Sequence, residues 1–178
     1  MNSPVKELLE RVDLRNRQPA HDFWHDLCTY LAEAPGSTRS HHAWPMGYHH
    51  HVQETMNLAV MLYDQLNRER PLPFSLGSAL LVLFLHDCEK PFRHATDTEL
   101  AHFHWVKSRP DKSDKTFQQL LIDHYGFKIS PDEHNALLYV EGEGSDYVEG
   151  TRLQGPLAAF CHVCDTISAR IWYDFPEH

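Results

Sequence analysis

No stretch of this chain stays apolar long enough to cross a bilayer. The longest run, Ala79-Leu-Leu-Val-Leu-Phe-Leu85, is far short of the roughly 20 residues that a spanning helix needs. No signal peptide is evident either, so a cytoplasmic protein without a membrane partner is expected. Basic charge is scarce, with 16 Lys and Arg against 25 Asp and Glu and a formal net charge of −9. A protein that grips long nucleic acid ordinarily shows the opposite sign, so no such partner is expected. A small anionic substrate is not excluded, because a bound metal and a few cations can override the global field locally. Cysteines number only four, at 28, 88, 161 and 164, which is no disulfide framework. Cys161-x-x-Cys164 lacks a second CxxC, so both cysteines are assigned to the core rather than to structural zinc. Internal repeats, low-complexity tracts and linkers are also absent. The 178 residues therefore suit one domain with a core of useful size.

Alternating strand patterns are missing as well, and helical signals take their place. Ser3-Pro4 marks a start by the rule that favours proline at the first helical position, with a helix to about Leu14. A second helix is predicted from about Ala20 to Ala34, ended by Pro35-Gly36. A third runs from about His49 to Arg68, where Val52, Met56, Ala59, Tyr63 and Leu66 recur at helical spacing. Ser75 to Asp87 is almost wholly apolar, as a buried strand or a buried helix would be. Its length and its Leu and Ala content favour a central helix. Asp97 or Thr98 can cap a helix through Trp105, and Ser113 one that stops at Gly126. Ser130-Pro-Asp-Glu133 is a capping box leading to about Gly142, and Gly155-Pro156 opens a last helix to about Trp172. The class is all-α, with about seven to eight helices.

What the chain has in excess is histidine, 15 in all, and histidine is the commonest transition-metal ligand. Leu85-His86-Asp87 closes the most buried helix. Burying an ionised Asp costs several kcal/mol, of order ~3–5, unless it is paired or metal-bound. Taken alone, the pair reads equally well as a helix end facing water. Asp165 sits inside an otherwise apolar helix, where a lone carboxylate needs a partner such as Arg170 or an ion. A run of three histidines, His49-His50-His51, opens the third helix. One of these, with His86, Asp87 and Asp165, can converge on an ion as two imidazoles and two carboxylates. That mixed set suits Mn²⁺, Fe²⁺, Co²⁺ or Zn²⁺ better than Ca²⁺, with Mg²⁺ also admitted.

His…His-Asp…Asp in an all-helical chain resembles the HD-domain superfamily of metal-dependent phosphohydrolases. "HHAWPMGYHHHVQET" is similar to the family's first-histidine segment, "LFLHDCEKPF" to its His-Asp signature and "GPLAAFCHVCDTISAR" to its closing helix. The similarity spans about His41 to Arg170. It implies a compact HD-type helical bundle with a core of about residues 41–172 and the N-terminal helices 3–34 packed on it. By that register His51 is the first ligand, with His86, Asp87 and Asp165 completing the set. The implied chemistry is hydrolysis of a small nucleotide, a nucleoside or deoxynucleoside mono- or triphosphate, by water attacking phosphorus. Lys90 and Arg93 would stabilise negative charge and His94 would donate to the leaving group. Arg39 and His41-His42 precede the metal helix as substrate or supporting candidates. Lys107, Arg109, Lys112 and Lys115, offset by Asp111 and Asp114, form a basic cluster that reads either as a solvated loop or as a guide for phosphates into the site, and Trp44, Phe92 and Trp105 are candidates to stack on a base.

The sequence departs from the family in two places. Some nucleotidases of this kind carry Glu four residues after the signature His; here that position is Lys90, with Glu89 one earlier as the available acid or base. Dinuclear members, di-iron oxygenases among them, need two more histidines. His102, His104, His124 and His134 are available, but near "LLYVEGEG" the chain offers Glu141. One metal is therefore favoured. The alternatives are a di-iron oxygenase, or a nuclease or phosphodiesterase of the same fold, which the net charge of −9 disfavours. Family members often associate, which leaves a homo-oligomer open.

Overall fold

A computed structural model describes residues 3–111 and 115–174. It is all-α, as the sequence predicts, with no strand among the described residues. The elements are α1 (Val5–Leu9), α2 (Leu14–Tyr30), α3 (Gly47–Glu69), α4 (Leu76–Leu85), α5 (Lys90–His94), α6 (Asp97–Leu100), α7 (Lys115–Tyr125), α8 (Pro131–Tyr139) and α9 (Pro156–Ile171). A 3₁₀ turn at Gly144–Asp146 lies between the last two.

The apolar run forms the central helix α4. Ser75 caps it by accepting from the Ser78 N–H at 3.0 Å. Every residue from Ala79 to Leu85 is buried, because α1, α3, α8 and α9 pack around it. A helix apolar on all sides has no other stable place. Gly77 is required for that packing: a Cβ there would lie 2.6 Å from Asp13 Oδ1 and 3.0 Å from its backbone nitrogen. At the other end, the buried Gln118 amide donates to the Leu85 and His86 carbonyls at 3.1 and 3.3 Å. The Leu85 carbonyl also accepts from the Cys88 N–H at 3.3 Å, so the chain leaves the helix at His86-Asp87 with both acceptors satisfied. Phe92 anchors the next segment, its ring 4.8 Å from Phe103 and 5.0 Å from Phe117.

The expected capping box forms at Ser130/Glu133, and a second, not expected, forms at Thr96/Glu99, whose cap Thr96 precedes the expected Asp97 or Thr98. Gly126 adopts φ 77°, as a glycine beyond a helix end should. Ser113 lies outside the described residues. Cys161 and Cys164 are fully buried in the core.

Several boundaries differ from expectation. The first helix ends at Leu9, and α2 begins at Leu14 and runs through Pro19 to Tyr30. An interior proline removes one backbone bond and costs about 3 kcal/mol in isolation. Here α2 is held from both sides of it. Ala20, Phe23 and Leu27 are buried, and the buried Asn16 amide bonds the Lys128 carbonyl at 2.9 Å and its N–H at 2.7 Å. The segment expected to be helical through Trp105 is helical only to Leu100, then turns to bury Phe103. Among the described residues, no helix is long and apolar enough to cross a membrane.

Candidate metal centre

The three histidines that open α3 go to three environments, because successive helical residues are rotated by about 100°. His49 is buried, donates from Nδ1 to the Ala32 carbonyl at 2.9 Å and sets its ring edge-on to Trp24. His50 accepts from the Trp44 indole N–H at 2.9 Å. His51 is fully buried and points into the bundle, toward the end of α4 and the middle of α9.

There the donors converge. His51 Nε2 lies 3.2 Å from His86 Nε2, 3.4 Å from Asp87 Oδ2 and 3.2 Å from Asp165 Oδ1. His86 Nε2 lies 3.2 Å from Asp87 Oδ2 and 3.6 Å from Asp165 Oδ1. For bonds of about 2.1 Å, ligands of one ion stand about 3.0 Å apart at right angles and about 3.4 Å apart at the tetrahedral angle. The observed separations match an ion's coordination shell.

The outer hydrogen bonds set the imidazoles the right way round. His86 Nδ1 donates to the Leu83 carbonyl at 2.8 Å. His51 Nδ1 faces Ser168 Oγ at 3.0 Å, and that hydroxyl donates to Glu54 Oε2 at 2.8 Å. A neutral ring whose Nδ1 carries the proton presents a lone pair at Nε2. Two lone pairs 3.2 Å apart repel each other unless a cation or a proton joins them. Metal sites fix their histidines by the same kind of outer bond.

The electrostatics of the chain alone also call for positive charge. Burial would lower the His86 pKa, but the Asp87 charge and the bonds to Asp165 and Asp87 outweigh it and raise it well above the ordinary value. Burial would raise the Asp87 and Asp165 pKa values. For Asp87 the charges of Lys90 and His86 reverse this; for Asp165 the bonds and charges of His51 and His86 do, so both carboxyls sit well below the usual range. His51, His86 and Asp165 are spaced so that they could hold a metal ion, and Asp87 Oδ2 faces both imidazoles.

Lys90 bonds Asp87 Oδ2 directly, so it is a partner of a proposed ligand rather than a free cation. Its own pKa, lowered by burial, is raised overall by Asp87. Glu89 is buried, and burial followed by the Asp87 charge raises its pKa. Its Oε1 lies 4.0 Å from Arg93 Nη1. Arg93 Nη1 and His94 Nε2 are buried atoms with no hydrogen-bond partner among the described residues. His42 is fully buried and bonds Glu54 Oε2 at 2.9 Å. Trp44 sets its ring 4.8 Å from His42.

The remaining candidates are not gathered at the centre. Arg39 and Lys107 are exposed, and Lys112 lies outside the described residues. Arg109 bonds Asp97 at 2.8 Å, and Lys115 donates to the Leu137 carbonyl at 2.8 Å. Phe92 is fully buried in the aromatic core, so it presents no face to a base, and Trp105 already stacks on His124 at 4.6 Å. His102, His104, His124 and His134 are exposed, with His102 stacked on Tyr30 at 4.3 Å. None of these four joins a metal-competent group of three among the described residues.

Two such groups do form, His51 with His86 and Asp165, and His51 with His41 and His42. Glu54 and Ser168 had not been singled out from sequence. The available signal was spacing: each lies three residues after a proposed ligand, on the same helix face. Set against known proteins, the chain matches no protein-family model, no curated protein and no solved structure.

Proposed function

We propose that this chain is a divalent-metal-dependent phosphohydrolase of the HD type, acting on a small nucleotide. The observation that carries the reading is the convergence of His51, His86, Asp87 and Asp165: the two imidazole Nε2 atoms are 3.2 Å apart and each lies 3.2–3.6 Å from an oxygen of each carboxylate. Mn²⁺, Fe²⁺, Co²⁺ or Zn²⁺ suits the mixed donors. A bound ion of this kind supplies Lewis acidity toward a phosphoryl oxygen and toward water.

The chain's own residues do the rest. His51 and His86 are held with Nε2 lone pairs inward by Ser168 and the Leu83 carbonyl. Lys90, paired with Asp87, keeps a positive charge where negative charge builds up on the transferring group. Arg93 Nη1 and His94 Nε2, which lack hydrogen-bond partners among the described residues, are on the same short helix as Lys90. They supply donors for phosphate oxygens or the leaving group. Glu89, buried beside Arg93, orients that guanidinium. The net charge of −9 favours a mononucleotide over a polymer.

A panel of ribo- and deoxynucleoside mono- and triphosphates tests the reading, with Mn²⁺, Co²⁺, Mg²⁺ and Zn²⁺ added singly and phosphate and pyrophosphate measured. Metal-dependent release from at least one nucleotide is expected. No release with any pair, or two irons per chain with O₂ consumed, would overturn it.

A further inference from the structure

The group formed by His41, His42 and His51 invites a second ion, but its hydrogen bonds assign it differently. Glu54 Oε2 receives two bonds, from Ser168 Oγ at 2.8 Å and from His42 Nε2 at 2.9 Å. A carboxylate only accepts. Ser168 thus directs its one proton to Glu54 and accepts from His51 Nδ1 at 3.0 Å. That leaves the His51 lone pair on Nε2, the atom facing His86, Asp87 and Asp165. By the same logic His42 carries its proton on Nε2, its Nδ1 is an acceptor, and His41 Nδ1, 3.0 Å away, is the donor.

The loop around His42 is built to keep this arrangement. His42 has the left-handed φ of 57°, uncommon for a residue with a side chain. Its carbonyl accepts from the Gly36 N–H at 2.8 Å. A Cβ on Gly36 would lie 2.7 Å from His42 Cβ, and one on Gly47 would lie 2.0 Å from the His42 carbonyl oxygen. Two glycines are thus needed for the chain to close around this one imidazole.

We infer that Glu54 is the positioning residue of the centre: its carboxylate sets the proton of His51 through Ser168 and the protons of His42 and His41 directly and in series. The three histidines then form a hydrogen-bonded relay behind a single ion, not a second ion site. The inference rests on reading the buried cluster as a metal centre. A second ion at this group would have to displace the His41–His42 bond and take His51 from either Ser168 or the first ion.

The test uses the full chain as wild type, Glu54→Gln, Ser168→Ala and Ser168→Thr. Mn²⁺ and Zn²⁺ binding is measured by calorimetry, the fold by melting in chelator, and the histidine protons by ¹⁵N NMR of the metal-free protein. Wild type is expected to bind one ion at the buried centre and to show the Nε2–H form of His42. Glu54→Gln and Ser168→Ala are expected to bind about 10–100-fold more weakly, and Ser168→Thr, which keeps a hydroxyl, to recover most of the affinity. Equal affinity in wild type, Glu54→Gln and Ser168→Ala, two tight ions per chain, or His42 carrying its proton on Nδ1 would each overturn the relay. If wild type binds no divalent ion, the metal centre itself fails, and the His42 proton alone decides whether Glu54 sets the relay.

Discussion

Asp165→Asn keeps the size of the side chain and removes one negative donor from the cluster. Asp165 Oδ1 faces both imidazoles, at 3.2 and 3.6 Å, so an ion held there touches it. An ion supplied at about 100 times its dissociation constant stabilises the fold by about 2.7 kcal/mol. For 178 residues, 1 kcal/mol moves the melting temperature by about 2–4 °C, so the ion should raise it by about 5–11 °C. Losing an outer partner weakens metal affinity by up to about 100-fold, and losing a direct ligand should do at least as much. At the same ion concentration the variant is then at most half-saturated and gains about 0.4 kcal/mol or less, a rise of about 1–2 °C at most. Scanning calorimetry of both proteins, in chelator and in Mn²⁺ or Co²⁺, measures the two shifts. Equal shifts in wild type and variant would place the ion elsewhere, on exposed histidines for example, and refute the assignment.

Three further outcomes are expected. Glu133 is fully buried and gathers Arg15 at 3.0 Å, Ser78 at 2.9 Å and the Ser130 N–H at 2.7 Å; Glu133→Ala should cost about 2–3 kcal/mol, because Arg15 can rehydrate while the other donors lose their acceptor. Urea denaturation reads this, and a loss below about 1 kcal/mol would contradict the role. Gly47→Ala should weaken metal binding at least ~10-fold, since its Cβ would meet the His42 carbonyl at 2.0 Å and shift the start of α3 that carries His51; unchanged calorimetric affinity would show that the loop adapts. Without metal, burial lowers the pKa of His41 to about 4 and also lowers those of His42, His49 and His94. The unfolded chain therefore binds more protons, and stability should fall as pH drops from about 6.5 toward 4. His86, with a raised pKa, acts in the opposite direction: its contribution is present below about 6.5 and lost as pH rises through the folded value. His124 is lowered too, and Glu89, raised by burial, acts with His86; with five groups against two, a melting temperature in chelator that rises between pH 7 and 5 would refute the balance.

The local parts of the centre were legible because each has a local cause. A helix as apolar as α4 must be central, so a His-Asp at its end had to be buried or exposed at a mouth, and an Asp inside α9 needed a partner. The choice of His51 among three histidines came from a resemblance in register, and α3 starting at Gly47 turns that residue toward His86 and Asp165. Arg170, the alternative partner for Asp165, is exposed. What the sequence did not show is that Lys90 bonds Asp87, a contact that follows from Phe92, buried in the aromatic core, fixing the turn after α4.

By itself the sequence determined what depends on neighbours along the chain: the all-α class, the buried length of α4, the Ser130 capping box, the glycine stop at Gly126 and the ligand-type residues near helix ends. Tertiary structure alone decided what depends on neighbours across the fold. Pro19 lies within α2 because Asn16 reaches Lys128, 112 residues away. His51 is oriented by Ser168, 117 residues away, and Ser168 by Glu54, 114 residues away. Periodicity and capping act within one or two helical turns, whereas the hydrogen bonds that orient a ligand form only after packing has brought distant faces together.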